Sequence, residues 1–341
     1  MIPAPRAERP AIWALGSGLE YCLLRFSPGC YKRLTFAAQI ELHGAARGRR
    51  ASKQQKRPGL ARSNVHDVDV ILGGRVSQLR YGAADFISTR PLLAGLQRAA
   101  APLHFETPAA LVDSLARGRY DAALVPTIEY LRGAGTHLVQ GPALVSRTAP
   151  GSLVLVSQKP LADVERIAVG EFCRTPVAAL RIVLAEMFEC FPDLLVEKRI
   201  EEDDWRDRYD AALLTADAAF RELTAPKTKG LTRYNIAEMW RIVTRTPLVL
   251  AVWVYNDAAR ASQIQKSLTE SLRAGLDNLP VLCDDVSRTI GLDAMVIHDY
   301  LSRAWSYQLG EREMDGLRAL NDLACRYDLI RESRLVVAAR V

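Results

Sequence analysis

What the chain lacks narrows its class first. Six cysteines in 341 residues form no CxxC pair and no framework spacing, which predicts free thiols in a reducing compartment rather than a disulfide scaffold. The five histidines are scattered, with no HxxxH or HExxH, so no dedicated metal site is expected. No apolar run reaches the length of about 18 residues that a membrane-spanning helix needs. The best leader candidate, PAIWALGSGLEYCLL, is interrupted by Glu20 and followed by no clean small-residue cleavage site. The expectation is a cytoplasmic protein.

Acid excess is also missing, but the basic balance is local. Residues 1–65 carry 12 Lys/Arg against 3 Asp/Glu, while the remainder carries 33 against 36. The body is slightly acidic, which argues against nucleic acid as its partner. The basic stretch GAARGRRASKQQKRPGLARSN is polar and without periodicity, so residues 1–67 are expected to be a disordered extension. It fits a nucleic-acid or membrane-surface arm, a solvated linker, or a gene start placed too early. The last two are favoured, although no methionine follows Met1 until Met187.

The whole chain is 49% apolar and 25% charged, the composition of a folded protein large enough for two domains. VDVILGGRVSQLRYGAADFIS reads as extended structure. In RPLLAGLQRAA, Leu92, Leu93 and Leu96 have helical spacing, with Pro91 in the first turn. Thr107-Pro108 opens a second helix that Gly118 stops.

RYDAAL then occurs twice, at Arg119–Leu124 and at Arg208–Leu213. Each copy follows a helix or polar turn and runs into a short apolar strand of the buried parallel type. Further strands are expected in Gly151–Leu161, Arg166–Phe172 and Thr246–Tyr255, a helix in VAALRIVLAEMF, and mainly helix after about residue 258. The βα alternation predicts an α/β fold. The repeat suggests two similar sheets facing one another, with Thr127 and Asp217 on opposite walls of one cleft. A common buried-strand phrase is the competing explanation.

Seven phrases in order carry a resemblance: DFISTRPLLAGL, YDAALVPTIEYLR, GSLVLVSQKPL, CRTPVAALRIVL, YDAALLTADAAF, IAEMWRIVTRTPLVLAVWV and YQLGEREMDGL. Together they resemble the menaquinone-biosynthesis (MqnA/MqnD) family, and within it the chorismate dehydratase branch of the futalosine route. The resemblance implies a two-lobed, periplasmic-binding-protein-like (type II) fold. Its lobes would be residues 68–160 plus 247–341 and residues 161–246, with a ligand cleft between them. It implies a small anionic substrate, chorismate or a similar carboxylate, and no cofactor. The implied reaction removes water from chorismate to give 3-[(1-carboxyvinyl)oxy]benzoate, with a carboxylate of the substrate assisting as base. Two other readings of the same resemblance are a non-catalytic small-anion-binding paralogue and the dihydroxynaphthoate synthase sister activity.

The resemblance also nominates residues. Ser88 stands where the family phrase has a functional Asn, and Thr127 where it has a serine hydroxyl; both are expected to be catalytic. Thr89, Arg90 and Pro126 flank them as substrate contacts. Thr175 lies at an expected helix N-terminus, where backbone N–H groups and the dipole favour carboxylates, though Pro176 replaces a hydroxyl there and removes one N–H. Arg174 and Arg245 are expected to compensate by pairing with a carboxylate. Arg245 and Ala216 both replace a family glycine, Ala216 narrowing the pocket by a methyl, and Asp217 is retained as a ligand contact or cap.

Overall fold

The computed structural model describes residues 78–336 apart from 150, 199, 201–204, 225 and 227–229. The expected N-terminal extension and most of the extended stretch from Val68 lie outside the described residues. Within them, eleven strands form two sheets.

The first sheet contains β1 (Tyr81–Ala83), β2 (Leu103–Phe105), β3 (Ala122–Pro126), β4 (His137–Ser146), β10 (Leu248–Tyr255) and β11 (Trp305–Leu309). The second contains β5 (Leu153–Ser157), β6 (Arg166–Gly170), β7 (Asp193–Glu197), β8 (Ala211–Thr215) and β9 (Thr232–Asn235). Their spatial orders are β11-β4-β10-β3-β1-β2 and β7-β6-β8-β5-β9. Helices alternate with them: α1 (Arg90–Arg98), α2 (Pro108–Ala116), α3 (Thr127–Leu131), α4 (Arg174–Phe188), α5 (Ala216–Thr224) and α6 (Ile236–Thr244). The C-terminal part adds α7 (Ala261–Asp277), α8 (Leu279–Ile290), α9 (Ala294–Arg303) and α10 (Glu311–Arg326). No helix among the described residues is long and apolar enough to cross a membrane.

The two sheets repeat one plan. β1 lies parallel between β2 and β3, and β6 lies parallel between β7 and β8. On the other side of β3 runs antiparallel β10, and on the other side of β8 runs antiparallel β5. The RYDAAL strands β3 and β8 therefore hold equivalent places. Their aspartates do the same work. Asp121 accepts the backbone N–H of Arg80, just before β1, at 2.8 Å, and the Asp121 N–H returns a bond to the Arg80 carbonyl at 2.8 Å. Asp210 accepts the N–H groups of Glu165 and Arg166, at the start of β6, at 2.9 and 3.1 Å. Its own N–H reaches the Arg166 carbonyl at 2.9 Å. Each aspartate thus ties the start of its strand to the neighbouring parallel strand, which explains why the phrase is written twice.

One expected boundary moves. The strand that opens at Gly151 is expected in the first lobe, residues 68–160, but it is β5, which pairs with β8 and β9 in the second sheet. The chain crosses between β4 and β5 and returns between α6 and β10. Its apolar letters suit either sheet, because β5 is buried on both faces. Leu153 and Leu155 join the main core, while Val154 and Val156 join a smaller one with Trp205 and Tyr209. β11 is a strand inside the part expected to be mainly helical.

The start of α1 is held by a close helix crossing. A Cβ on Gly95 would overlap the Ser271 backbone in α7, and one on Gly275 would overlap the Pro91 carbonyl. Ser271 Oγ donates to the Leu92 carbonyl at 2.8 Å and accepts the Leu96 N–H at 3.0 Å. Two missing side chains and one hydroxyl fix the segment that carries Ser88.

Candidate functional site

A cavity of about 900 Å³ opens between the carboxyl ends of the two sheets. This is where an open α/β sheet presents its ligand site, and the volume is at the upper end of small-molecule pockets. The first lobe contributes the turn from Ala84 to Thr89, Pro126 and Trp305; the second contributes Gly170–Cys173, Thr175, Pro176 and the start of α5. Phe86, Phe172, Trp205, Phe220 and Trp305 make the wall strongly aromatic.

Ser88 lies on this wall with 0% exposure, and its Oγ has no hydrogen-bond partner. A buried hydroxyl without a partner is costly, so its place at a cavity is informative. Thr127 is also fully buried, and its Oγ1 is likewise unpartnered, but it stands behind Pro126 and outside the lining. Thr89 lines the cavity while spending its hydroxyl locally, within 2.9 Å of the Ala84 carbonyl and 2.8 Å of the Phe86 carbonyl. Thr175 lines it too, and its Oγ1 accepts the Ile128 N–H at 3.2 Å and donates to the Leu250 carbonyl at 3.0 Å. That hydroxyl pins α4 to the first lobe.

The arginines expected to bind carboxylate do not reach the lining. Arg174 turns away to pair with Glu129 Oε1 at 2.9 Å, an oxygen that Arg132 also holds at 2.9 Å. Arg90 pairs with Asp85 at 2.6 Å and lies in a groove between α1 and α8. Arg245 is exposed at the end of α6 with φ 63°, its N–H bonded to the Arg241 carbonyl at 2.9 Å. The left-handed region favours glycine, so Arg245 stands there against the backbone's preference. Ala216 has φ 48° at the junction of β8 and α5. It lines the cavity, and its N–H donates to the Ser152 carbonyl at 3.0 Å.

Among the described residues, Lys198, Arg206 and Arg221 are the cationic ones that line the cavity, all from the second lobe. None stands in a phrase that carries the resemblance, and Lys198 and Arg206 fall in a polar stretch that reads as surface loop. Asp217 also lies on the second lobe, and its carboxylate accepts the Ile87 N–H of the first lobe at 3.0 and 3.3 Å. Glu222 lines the cavity and forms a buried ion pair with Arg233 at 2.6 Å. Behind the wall, burial and then the nearby charge of Asp217 push the Tyr300 phenol well above its ordinary value. The site can hold a flat apolar body, meet negative charge on its second-lobe side, and offer a hydroxyl from its first-lobe side.

Solved structures of this shape share little sequence with the chain. Protein AF1704 from Archaeoglobus fulgidus is 16% identical over 75% of this chain and 100% of its own, with a TM-score of 0.62. The alkanesulfonate-binding protein SsuA from Xanthomonas axonopodis pv. citri, bound to MOPS, is 19% identical over 76% and 96%, with a TM-score of 0.56. The periplasmic aliphatic sulphonate binding protein SsuA from Escherichia coli is 15% identical over 77% and 93%, with a TM-score of 0.54. The fold is that of periplasmic binding proteins. Residues 79–326 match the menaquinone biosynthesis family, spanning both sheets and every wall of the cavity, and the chain belongs to that family.

Proposed function

We propose that this protein is a cytoplasmic chorismate dehydratase, forming 3-[(1-carboxyvinyl)oxy]benzoate and water. The observation that carries the reading is Ser88, a fully buried hydroxyl without a partner at an aromatic cavity. In this reaction one ring C–H bond and the neighbouring C–O bond break, and a ring double bond forms, completing an aromatic ring. A carboxylate of the substrate accepts the proton, and the departing hydroxide takes it up as water. The protein need only hold the dianion in its reactive conformer and stabilise the leaving oxygen. Ser88 donates to that oxygen, while Lys198, Arg206 and Arg221 meet the carboxylates.

A second reading, binding of a small carboxylate without turnover, is favoured by the acids of the wall. Three of the four acids that line the cavity among the described residues, Asp85, Asp217 and Glu222, are bonded to the protein's own groups, and the fourth, Glu171, is exposed. One experiment separates the two: the full-length protein is mixed with chorismate and followed by ultraviolet absorbance and mass spectrometry. Dehydration shows as loss of one water and the spectrum of an aromatic ether, slowed about a hundredfold by Ser88→Ala, in line with removal of one positioned donor. Binding with no mass change supports the second reading, and neither binding nor reaction sinks both.

A further inference from the structure

Two contacts tie α5 of the second lobe to the first lobe. The Asp217 carboxylate accepts the Ile87 N–H across the cleft at 3.0 and 3.3 Å. Three residues along the same helix, the Phe220 ring stacks on Tyr300 of α9 with centroids 4.1 Å apart and planes at 18°. The contacts lie one helical turn apart, so they act as a single seam. Further cross-lobe bonds are on α4. Arg174 meets Glu129 near its start, Thr175 meets Leu250 and Ile128, and Glu186 meets Arg326 at 3.1 Å and Tyr327 at 2.9 Å near its end.

The ends of the Asp217 bond explain its sign. Asp217 is in the first turn of α5, and Ile87 opens a helical turn that runs straight into α1. Two helix N-termini therefore face one carboxylate. Both ends carry partial positive charge and unmet N–H groups, so they repel each other when no anion lies between them. Ile87 is also bonded directly to Ser88. Fixing the Ile87 N–H fixes where the Ser88 hydroxyl stands.

We propose that Asp217 is a positioning residue: it latches the second lobe onto the first and, through Ile87, sets Ser88 over the cavity. The latch itself is independent of the reaction; its effect on Ser88 rests on the dehydratase reading. The test is amide hydrogen exchange at Ile87 in the full-length protein without ligand. Asp217→Ala is expected to speed that exchange about tenfold to a hundredfold, the range for loss of a charge-assisted bond. Asp217→Asn keeps an acceptor oxygen without the charge and is expected to fall between it and the parent. Ile87→Pro removes the donor from the other side, and Phe86, at φ −116° and ψ 152°, already has the extended backbone that precedes a proline. Thermal unfolding of Asp217→Ala/Ile87→Pro then equals that of the worse single variant.

Parent-like exchange at Ile87 in both Asp217 variants, or additive melting losses in the double variant, overturns the latch. For positioning, turnover of chorismate is compared in Ser88→Ala and Asp217→Asn. The kcat of the double variant should match Ser88→Ala alone, with KM changed less than kcat. Multiplied losses overturn the positioning role. If the parent protein does not act on chorismate, the dehydratase reading fails while the exchange result still decides the latch.

Discussion

Arg245→Gly separates a ligand contact from a backbone demand. Arg245 sits at φ 63° with its side chain exposed and outside the cavity lining. A non-glycine residue in the left-handed region costs about 1–2 kcal/mol, and glycine removes that cost. Glycine also gains freedom in the unfolded chain, which takes back about 0.4–1 kcal/mol. The bond from the N–H of residue 245 to the Arg241 carbonyl involves only backbone and survives. The net expectation is a stabilisation of about 0.5–1 kcal/mol, or roughly 1–3 °C in Tm for a body of this size. The assay is urea and thermal unfolding, where the midpoint should rise with an unchanged slope. Calorimetric titration with chorismate on the same samples should give an unchanged Kd. A lower midpoint together with a tenfold weaker Kd would refute the argument and return Arg245 to the site.

Three further outcomes are expected from the contacts of the two lobes. Thr175→Val strands the Ile128 N–H and weakens the hold on the Leu250 carbonyl, so it should cost about 2–3 kcal/mol in urea unfolding, while Thr175→Ser costs much less. Gly95→Ala drives a methyl into the Ser271 backbone and should lower stability by about 1–3 kcal/mol, with Ser271→Gly giving no rescue because the clash is with main chain. Burial alone would raise the Asp121 and Asp210 carboxyls. The N–H and guanidinium of Arg80 with the Arg260 charge at Asp121, and Lys159 with two backbone N–H groups at Asp210, outweigh it and hold both below the usual value. Their stabilisation is therefore complete above the unfolded value of about 3.9 and is lost as pH falls through the lower folded values. Asp121→Asn should be less stable than the parent at pH 7 and converge with it in acid, as followed by circular dichroism; a constant gap down to pH 2 would contradict the linkage.

The repeat is legible because RYDAAL encodes a job, the capping of a neighbouring parallel strand, and that job is set by residue type. Strand direction is not legible. β5 and β10 are apolar runs buried like parallel strands, and nothing in Leu153–Ser157 says that it enters the second sheet antiparallel to β8. Strands β4, β7, β9 and β11 give no clear signal, because polar letters such as Gln140, Glu197, Arg233 and Gln308 interrupt them. At the site, Ser88 and Thr127 emerge from the resemblance, and both are buried hydroxyls without partners. Arg174 and Arg245 stand out by their charge, but an ion pair and a left-handed backbone position decide where they go. Neither is visible in one dimension.

The symmetry of the scaffold makes the asymmetry of the cavity meaningful. β3 and β8 are equivalent strands, yet one ends in Pro126-Thr127 and the other in Thr215-Ala216-Asp217. Among the described residues every cationic lining residue comes from the second lobe, whereas the unpartnered Ser88 hydroxyl comes from the first. Charge attraction acts over several ångströms and a hydroxyl only at contact. On the dehydratase reading, a carboxylate ligand meets its cations on the second-lobe wall and the Ser88 hydroxyl on the first-lobe wall. The Asp217 bond to Ile87 joins the two walls at that same edge. Neutralising Lys198, Arg206 and Arg221 together should therefore slow association and flatten its salt dependence. Removing the Ser88 hydroxyl should leave association unchanged and act only on the bound ligand, and stopped-flow mixing at two ionic strengths distinguishes the two effects.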